Sequence, residues 1–153
     1  MMKIKNTDSA KPEYKNLKEP NSELCLISLE RIIDCADYGL CMDKKHKHYN
    51  EQKAKKYNTQ LIKLFHYLCR KSWNEIYGMR KNQEYGYEHF PIKDFDINHI
   101  KEYFQKLGKD INKDKCDIFR FGAQEFRACG YRKANTFYLI CIDYDFSLYN
   151  HGN

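Results

Sequence analysis

Three short apolar and aromatic runs near the C-terminus constrain the fold more than any other feature of the sequence. They cover residues 116–121, 125–131 and 136–144. In the first two runs, bulky apolar side chains alternate with other residues, which is the pattern of a β-strand that buries one face. Gly122-Ala123 and Lys133-Ala134-Asn135 lie between the runs and favour hairpin turns. The sequence therefore predicts an antiparallel meander of three strands.

The residues before the meander predict helices. From about residue 50 to residue 71, apolar side chains recur at the spacing of one helix face, as Tyr57, Leu61, Leu64, Phe65, Leu68 and Cys69. Ser72, with Glu75 three residues later, has the pattern of a capping box and predicts a short second helix that ends at Gly78. Residues 98–107 also have helical spacing, and a short strand is expected at about residues 87–92.

Residues 24–42 give a weaker pattern. The apolar stretch 24–33 alternates as a strand would, although a helical turn fits it nearly as well. Asp37-Tyr38-Gly39 is typical of a turn, and residues 40–42 are then expected to pair back as a second strand. The sequence assigns no function to this segment.

This order of elements predicts the α+β class, with N-terminal helices packed on an antiparallel β-sheet that ends in the C-terminal three-strand meander. The helices would cover one face of the sheet and leave the other face free to be polar. Residues 1–22 are polar and contain Pro12 and Pro20, so they are expected to form a flexible arm. Residues 23–153 then form a single α+β domain, which suits a chain of 153 residues.

The positive charge is concentrated in one segment. The chain has a net charge of +6, while residues 44–81 contain eleven basic and two acidic residues, a net charge of +9. This concentration favours a polyanion such as RNA as partner, through the basic side chains Lys53, Lys55, Lys56, Lys63, Arg70 and Lys71. The alternative is a lysine-rich helix face that serves only solubility.

The seven cysteines are spread singly, without a C-x-x-C pair, which is typical of reduced thiols in a cytoplasmic protein. No apolar run approaches the ~18 residues of a membrane span, so no membrane partner is expected. No zinc-ligand spacing occurs, and Asp143 with Asp145 lacks a third acidic ligand, so neither a metal site nor a cofactor is predicted.

Two arginines of the meander are candidates for an anion site. If the phenylalanines of the first two strands face the core, then Arg120, Glu125 and Arg127 share the opposite face. Guanidinium groups present planar donors that suit phosphate, and Glu125 would act as a general base or hold an arginine in place. The alternative is a cross-strand salt bridge between Glu125 and either arginine.

Tyr149 and His151 close the chain and are candidates for proton transfer. An imidazole titrates near neutrality, so His151 beside the arginine face could donate or accept a proton. The alternative is a frayed terminus, although Phe146, Leu148 and Tyr149 are too apolar for a free tail.

The C-terminal block, with Arg120-Phe121-Gly122, then Phe126-Arg127-Ala128-Cys129-Gly130-Tyr131 and a terminal Tyr149-x-His151, resembles the RelE/ParE-like toxin superfamily. Members place helices against a curved antiparallel sheet, and many cleave mRNA on the ribosome without metal. The resemblance implies that Arg127 stabilises the scissile phosphate and that Tyr149 or His151 is the terminal catalytic group. Residues 24–42 have no counterpart in that family.

We therefore expect an RNA-binding protein that acts as a metal-independent endoribonuclease of the mRNA interferase type, with RNA on the ribosome and a protein antitoxin as partners. Glu125 or His151 would accept the proton of the ribose 2′-hydroxyl, Arg120 and Arg127 would neutralise the phosphate, and Tyr149 or His151 would protonate the leaving oxygen. The alternative is a non-catalytic phage or mobile-element protein whose tyrosine-rich surface binds and inhibits a host protein.

Overall fold

The structure is a computed structural model that describes residues 23–150. The predicted flexible arm at residues 1–22 and the candidate catalytic residue His151 lie outside the described residues. Within them, the elements in chain order are β1 (Leu26–Ser28), α1 (Glu51–Leu68), α2 (Trp73–Tyr77), β2 (Tyr87–Pro91), a 3-10 turn (Ile92–Asp94), α3 (Asn98–Lys106), β3 (Lys115–Phe121), β4 (Phe126–Lys133) and β5 (Thr136–Asp143).

The strands form one mixed sheet in the order β1-β5-β4-β3-β2. Strands β2 to β5 pair with their neighbours in antiparallel fashion, while β1 pairs with β5 in parallel, with Leu26 opposite Thr136. The three runs that predicted a meander are therefore β3, β4 and β5. Strand β1, at the edge of the sheet beside β5, lies in the segment 24–33, for which the sequence pattern allowed either a strand or a helical turn.

A β-bulge in β5 changes which side chains face each side of the sheet. Cys129 pairs with Cys141, but the next residue, Gly130, pairs with Leu139, so Ile140 is the inserted residue. Because side chains alternate along a strand, the insertion moves every residue after Ile140 to the opposite face. As a result, Asp143 lies directly across from Arg127 and on the same face.

Both faces of the sheet are covered by apolar side chains. Helices α1 and α2 pack on one face, where Leu61, Leu64 and Trp73 meet Phe119 and Phe121 in a buried cluster. The second buried cluster joins α3 and the segment after β5 to the other face of the sheet, through Ile100, Phe104, Leu148, Tyr149, Ile118 and Cys129. The expectation of one free, polar face is therefore wrong, because residues 92–104 and 146–149 bury it.

Local sequence signals explain the helices. The side chain of Asn50 accepts hydrogen bonds from the backbone N–H groups of Gln52 and Lys53, which caps the start of α1. The predicted capping box of Ser72 and Glu75 is present at the start of α2. The buried residues of α1 follow one stripe, as Ala54, Tyr57, Leu61, Leu64 and Leu68. Cys69, which sequence spacing assigned to that stripe, is exposed because the helix has already ended.

The α+β class is confirmed, but the predicted arrangement is not. The helices lie in the middle of the chain, after β1, and the sheet is mixed. Residues 40–42 do not form the predicted second strand. Their backbone is bonded by side chains instead: Cys41 N–H donates to the Tyr144 hydroxyl at 3.1 Å, and its carbonyl accepts from Asn58 at 3.1 Å. Among residues 23–150, no helix combines the length and the apolar character needed to cross a membrane.

Candidate nucleic-acid interface

A groove runs along the exposed side of α1. One part of it, about 340 Å³, lies between α1 and the turn that joins β3 to β4, and it is lined by Lys56, Gln60, Lys63, Glu84, Tyr85, Gly122, Ala123 and Glu125. A second part, about 350 Å³, is lined by Ile62, Lys63, His66, Tyr67, Arg70 and Tyr85. The two parts share Lys63 and Tyr85, so we treat them as one surface and call it the α1 groove.

Three basic side chains follow the α1 groove at regular intervals. Lys56, Lys63 and Arg70 are seven residues apart, and all three are exposed. Seven residues make almost two full helical turns, so the two lysines lie on the same side of α1, about 10.5 Å apart along its axis. Arg70 follows the helix end and continues the row. A regular row of cations beside a groove is the arrangement that a negatively charged backbone can follow.

Two tyrosines form the aromatic part of the α1 groove. The rings of Tyr67 on α1 and Tyr85 in the loop before β2 are stacked, with centroids 4.6 Å apart and planes at 28°. The Nζ atom of Lys71 lies 5.1 Å from the centroid of the Tyr67 ring. Tyr85 has a φ of 56°, a left-handed conformation that is rare for a bulky residue. Strained residues of this kind concentrate at functional sites, which supports a role for this ring.

The loop that carries Tyr85 is fixed at two points. Gln124, in the turn between β3 and β4, donates a hydrogen bond from its side chain to the Asn82 carbonyl at 2.9 Å. Gly86 lies so close to the preceding residues that a Cβ atom there would meet the Lys81 carbonyl oxygen at 2.1 Å. The loop can therefore close only with glycine at this position, and it holds Tyr85 over α1.

Of the six predicted nucleic-acid-binding residues, three line the α1 groove and three do not. Lys56, Lys63 and Arg70 line the α1 groove, whereas Lys53 and Lys55 are exposed on the first turns of α1 without lining it. Lys71 lies beside Tyr67 and pairs with Glu75 at 3.8 Å. Sequence reasoning missed five further lining residues, Gln60, Ile62, His66, Tyr67 and Tyr85.

Arg127 does not lie on a solvent face. It is fully buried, and its guanidinium donates to Asp143 Oδ2 from Nε at 3.1 Å and from Nη2 at 2.7 Å. Its Cζ atom lies 3.6 Å from the centroid of the Tyr149 ring and 4.7 Å from that of Phe146. The prediction of a solvent-facing Arg127 is therefore wrong, because the segment after β5 folds over it, and it cannot contact a phosphate in this structure.

Asp143 binds the segment after β5 to the sheet through hydrogen bonds. Besides the Arg127 guanidinium, its carboxylate accepts hydrogen bonds from the backbone N–H groups of Ser147 at 3.1 Å and Leu148 at 3.2 Å. Burial raises the pKa of the Asp143 carboxyl above its ordinary value, and the Arg127 charge opposes that rise. The pair holds residues 146–149 in place.

Tyr149 is buried as well, so the prediction that it stands at a reactive surface is wrong. Its ring stacks on Phe90 with centroids 3.9 Å apart, and its hydroxyl donates to the Glu88 carboxylate. Glu88 in turn pairs with Lys81 at 3.1 Å. The alternative of a frayed terminus is also excluded up to Tyr149, which is packed under α3 and β2.

Of the other two predicted catalytic residues, Arg120 lies on the same face of the sheet as Arg127, whereas Glu125 lies apart from both arginines. Arg120 pairs with Arg127 across β3 and β4 and is half-buried. Glu125 is exposed in the turn before β4, where its Oε2 lies 3.0 Å from Lys56 Nζ in the α1 groove. The alternative of a salt bridge between Glu125 and either arginine does not hold, because Glu125 pairs with Lys56 and Arg127 pairs with Asp143.

Searches of protein-family models, curated proteins and solved structures found no match for the chain. The resemblance to the RelE/ParE-like toxin superfamily therefore stays a prediction.

Proposed function

We propose that the protein binds single-stranded RNA through the α1 groove. The observation that carries the proposal is the combination of the row formed by Lys56, Lys63 and Arg70 with the stacked rings of Tyr67 and Tyr85. Cations spaced along a groove follow a phosphate backbone, and aromatic rings stack on unpaired bases of any sequence. Single strands are favoured over duplexes because only unpaired bases can reach such rings.

The local charge supports the same partner. Residues 44–81, which include α1, carry a net charge of +9, whereas the whole chain carries +6. Glu125 and Glu84 are the acidic side chains that line the groove, and Glu125 is already paired with Lys56. An incoming phosphate would exchange with this exposed carboxylate, an exchange that costs little because surface ion pairs contribute only about 0–1 kcal/mol.

RNA cleavage is not part of this proposal. The predicted mechanism needs Arg127, Arg120, Glu125 and Tyr149 around one phosphate, and Arg127 and Tyr149 are buried while Glu125 lies on the α1 side of the sheet. The groups that contact RNA in the α1 groove would be lysine, arginine and tyrosine side chains used for attraction and stacking.

Binding to a short fluorescent single-stranded RNA tests the proposal. The variant Lys56→Ala/Lys63→Ala/Arg70→Ala should bind at least about tenfold more weakly at about 50 mM salt, since electrostatic contacts dominate such affinities. The matched control Lys93→Ala/Lys106→Ala/Lys113→Ala removes the same charge from exposed positions in the 3-10 turn, α3 and the loop before β3, and should bind like the unmodified protein. Equal weakening in both variants would contradict the proposal.

The aromatic part of the groove has its own test. Tyr85→Leu keeps an apolar side chain but removes the stacking surface, which is worth about 1–3 kcal/mol per base in proteins that bind single strands. We expect affinity to fall by about fivefold or more, with the salt dependence unchanged.

Incubation of the same RNA with the protein in EDTA, analysed on a gel, tests the predicted metal-independent cleavage, and intact RNA is expected.

A second candidate function, binding of a host protein without catalysis, is favoured by one observation. A cavity of about 560 Å³ has the apolar side chains Leu29, Ile32, Ile33, Leu40 and Met42 among its lining residues. Leu29 is 49% exposed and Met42 is 65% exposed, and exposed apolar patches of this kind mark interaction sites. If RNA does not bind even at low salt, this surface becomes the leading candidate.

A further inference from the structure

Three side chains that could bind a metal ion meet on the side of the molecule where α3 packs. The Sγ atom of Cys35, a carboxylate oxygen of Asp37 and a ring nitrogen of His99 all lie within 4.8 Å of one another. Asp37 Oδ1 and His99 Nε2 are 3.4 Å apart. Cys35 and Asp37 are half-buried, and His99 is exposed. The cluster is therefore open to an ion from solvent without a change of fold.

Backbone contacts hold the two loop ligands in position. The segment that carries Cys35 and Asp37 is bonded to β5 at both ends, through Ile33 N–H to the Ile140 carbonyl and Ile142 N–H to the Tyr38 carbonyl, each at 2.8 Å. The Gly39 N–H donates to the Cys35 carbonyl at 3.2 Å, and a Cβ atom at Gly39 would meet that oxygen at 2.8 Å. The turn is therefore tight, and it directs both side chains toward α3.

The third ligand comes from a separate element. His99 is the second residue of α3, and its ring lies 5.9 Å from the buried ring of Tyr38, measured between centroids. Because Tyr38 is anchored to β5 and α3 is anchored by Ile100 and Phe104 in the second buried cluster, the distance between loop and helix is set by the core. The ligands are preorganised by packing that does not depend on the metal.

We propose that Cys35, Asp37 and His99 form a binding site for Zn²⁺. Zinc binds sulfur, nitrogen and oxygen ligands together, and bond lengths of about 2.0–2.3 Å place tetrahedral ligand atoms about 3.3–3.8 Å apart. The 3.4 Å between Asp37 Oδ1 and His99 Nε2 already matches the distance between two ligand atoms of a tetrahedral zinc site. The Cys35 sulfur, which lies within 4.8 Å of both other ligand atoms, needs to move by at most about 1.3 Å. Water would complete the fourth position, as in zinc sites with three protein ligands.

A cysteine nucleophile fits the same residues less well. Burial, together with the hydrogen bond to Asp37, raises the pKa of the Cys35 thiol, whereas a catalytic cysteine needs a lowered one. A zinc ion removes this difficulty because coordination deprotonates the thiol, and the proton passes to the buffer. The ion would also bridge the loop at residues 33–38 and α3, and so stabilise the folded state.

The test uses the full chain with Co²⁺, a spectroscopic substitute for zinc, and with Zn²⁺ as competitor. We expect one equivalent of Co²⁺ to give a sulfur-to-cobalt charge-transfer band, which Zn²⁺ then removes. Cys35→Ser should abolish the band, and His99→Gln should weaken binding by more than about tenfold, since even second-shell changes cost 10–100-fold. Circular dichroism checks that both variants are folded.

The matched control is Cys69→Ser, since Cys69 is exposed and follows α1, on the opposite face of the sheet. A band that persists in Cys35→Ser or disappears in Cys69→Ser would overturn the proposal, as would an absence of binding at one equivalent. A second readout is thermal unfolding: Zn²⁺ should raise the Tm of the unmodified protein but not that of Cys35→Ser. These measurements need no RNA, so they stand or fall independently of the α1 groove.

Discussion

At the scale of single residues, Arg127 shows how a side chain suited to binding phosphate has become part of the core. Its guanidinium is fully buried, bonded to Asp143 and held between the rings of Tyr149 and Phe146. An uncompensated charge in such a place is costly, so loss of one partner destabilises more than the intact pair stabilises. The sequence alone could not distinguish this role from catalysis, because both use arginine beside aromatic and acidic residues.

Replacement of Arg127 therefore tests stability. Arg127→Ala should lower the free energy of unfolding by about 3–5 kcal/mol, because it leaves the buried Asp143 carboxylate without its counter-charge. Urea denaturation followed by circular dichroism measures this value. Arg70→Ala is the exposed control and should change stability by less than about 0.5 kcal/mol. Similar small changes in both variants would mean that the folded state does not depend on the buried Arg127–Asp143 pair.

His46 gives a prediction for pH. Its side chain is 6% exposed, packs edge-on against Tyr144 and accepts a hydrogen bond from the His48 N–H. Burial is the main cause that lowers the pKa of the His46 imidazole, and the nearby His48 lowers it further. The folded state then binds fewer protons than the unfolded state below about pH 6.5, so stability should fall as the pH drops through that value.

The free energy of unfolding should therefore decrease between about pH 7.5 and about pH 5.5, and less steeply in His46→Phe than in the unmodified protein. The comparison variant is His66→Gln, whose histidine is exposed on α1. If His46→Phe and the unmodified protein have the same slope, another group causes the pH dependence.

At the scale of elements, local signals predicted the helices and strands well. Helix α2 begins at the predicted capping box, and β3, β4 and β5 lie within two residues of the predicted strands. These elements depend on contacts between neighbours in the chain, which the sequence displays directly. The predicted strand at residues 40–42 was wrong because Tyr144 and Asn58, both far along the chain, bond that backbone.

The capping box of α2 can be measured separately. Ser72 accepts from the Glu75 N–H at 3.1 Å, and Glu75 accepts from the Ser72 N–H at 3.2 Å. Ser72→Ala should lower the free energy of unfolding by about 1 kcal/mol, whereas Ser72→Asp keeps a capping oxygen and should cost little. Chemical denaturation measures both variants, and equal loss in the two would mean that the cap is not responsible.

At the scale of the whole molecule, the basic groove and the proposed zinc site lie on opposite sides of the sheet. The basic row lies on the α1 side of the sheet, while the second buried cluster and the proposed zinc site lie on the side of α3. The field of the molecule therefore favours one side for a polyanion.

This asymmetry predicts how RNA binding depends on salt. For single strands, each neutralised phosphate contributes about 0.7 to the slope of log K against log salt. The variant Lys56→Ala/Lys63→Ala/Arg70→Ala should therefore lose about 2 from the slope measured between about 50 and 200 mM salt. The variant Lys93→Ala/Lys106→Ala/Lys113→Ala should keep the full slope, and a loss in that variant would locate the interface elsewhere.

The sequence by itself determined the α+β class, the positions of α1, α2 and the last three strands, and the concentration of positive charge around α1. Periodicity, capping residues and charge are properties of neighbouring residues, so they can be recognised without coordinates. Only the tertiary structure decided that both faces of the sheet are covered, that the bulge at Ile140 brings Asp143 across from Arg127, and that Tyr85 reaches Tyr67. These outcomes depend on contacts between distant parts of the chain, which packing selects and local sequence does not specify.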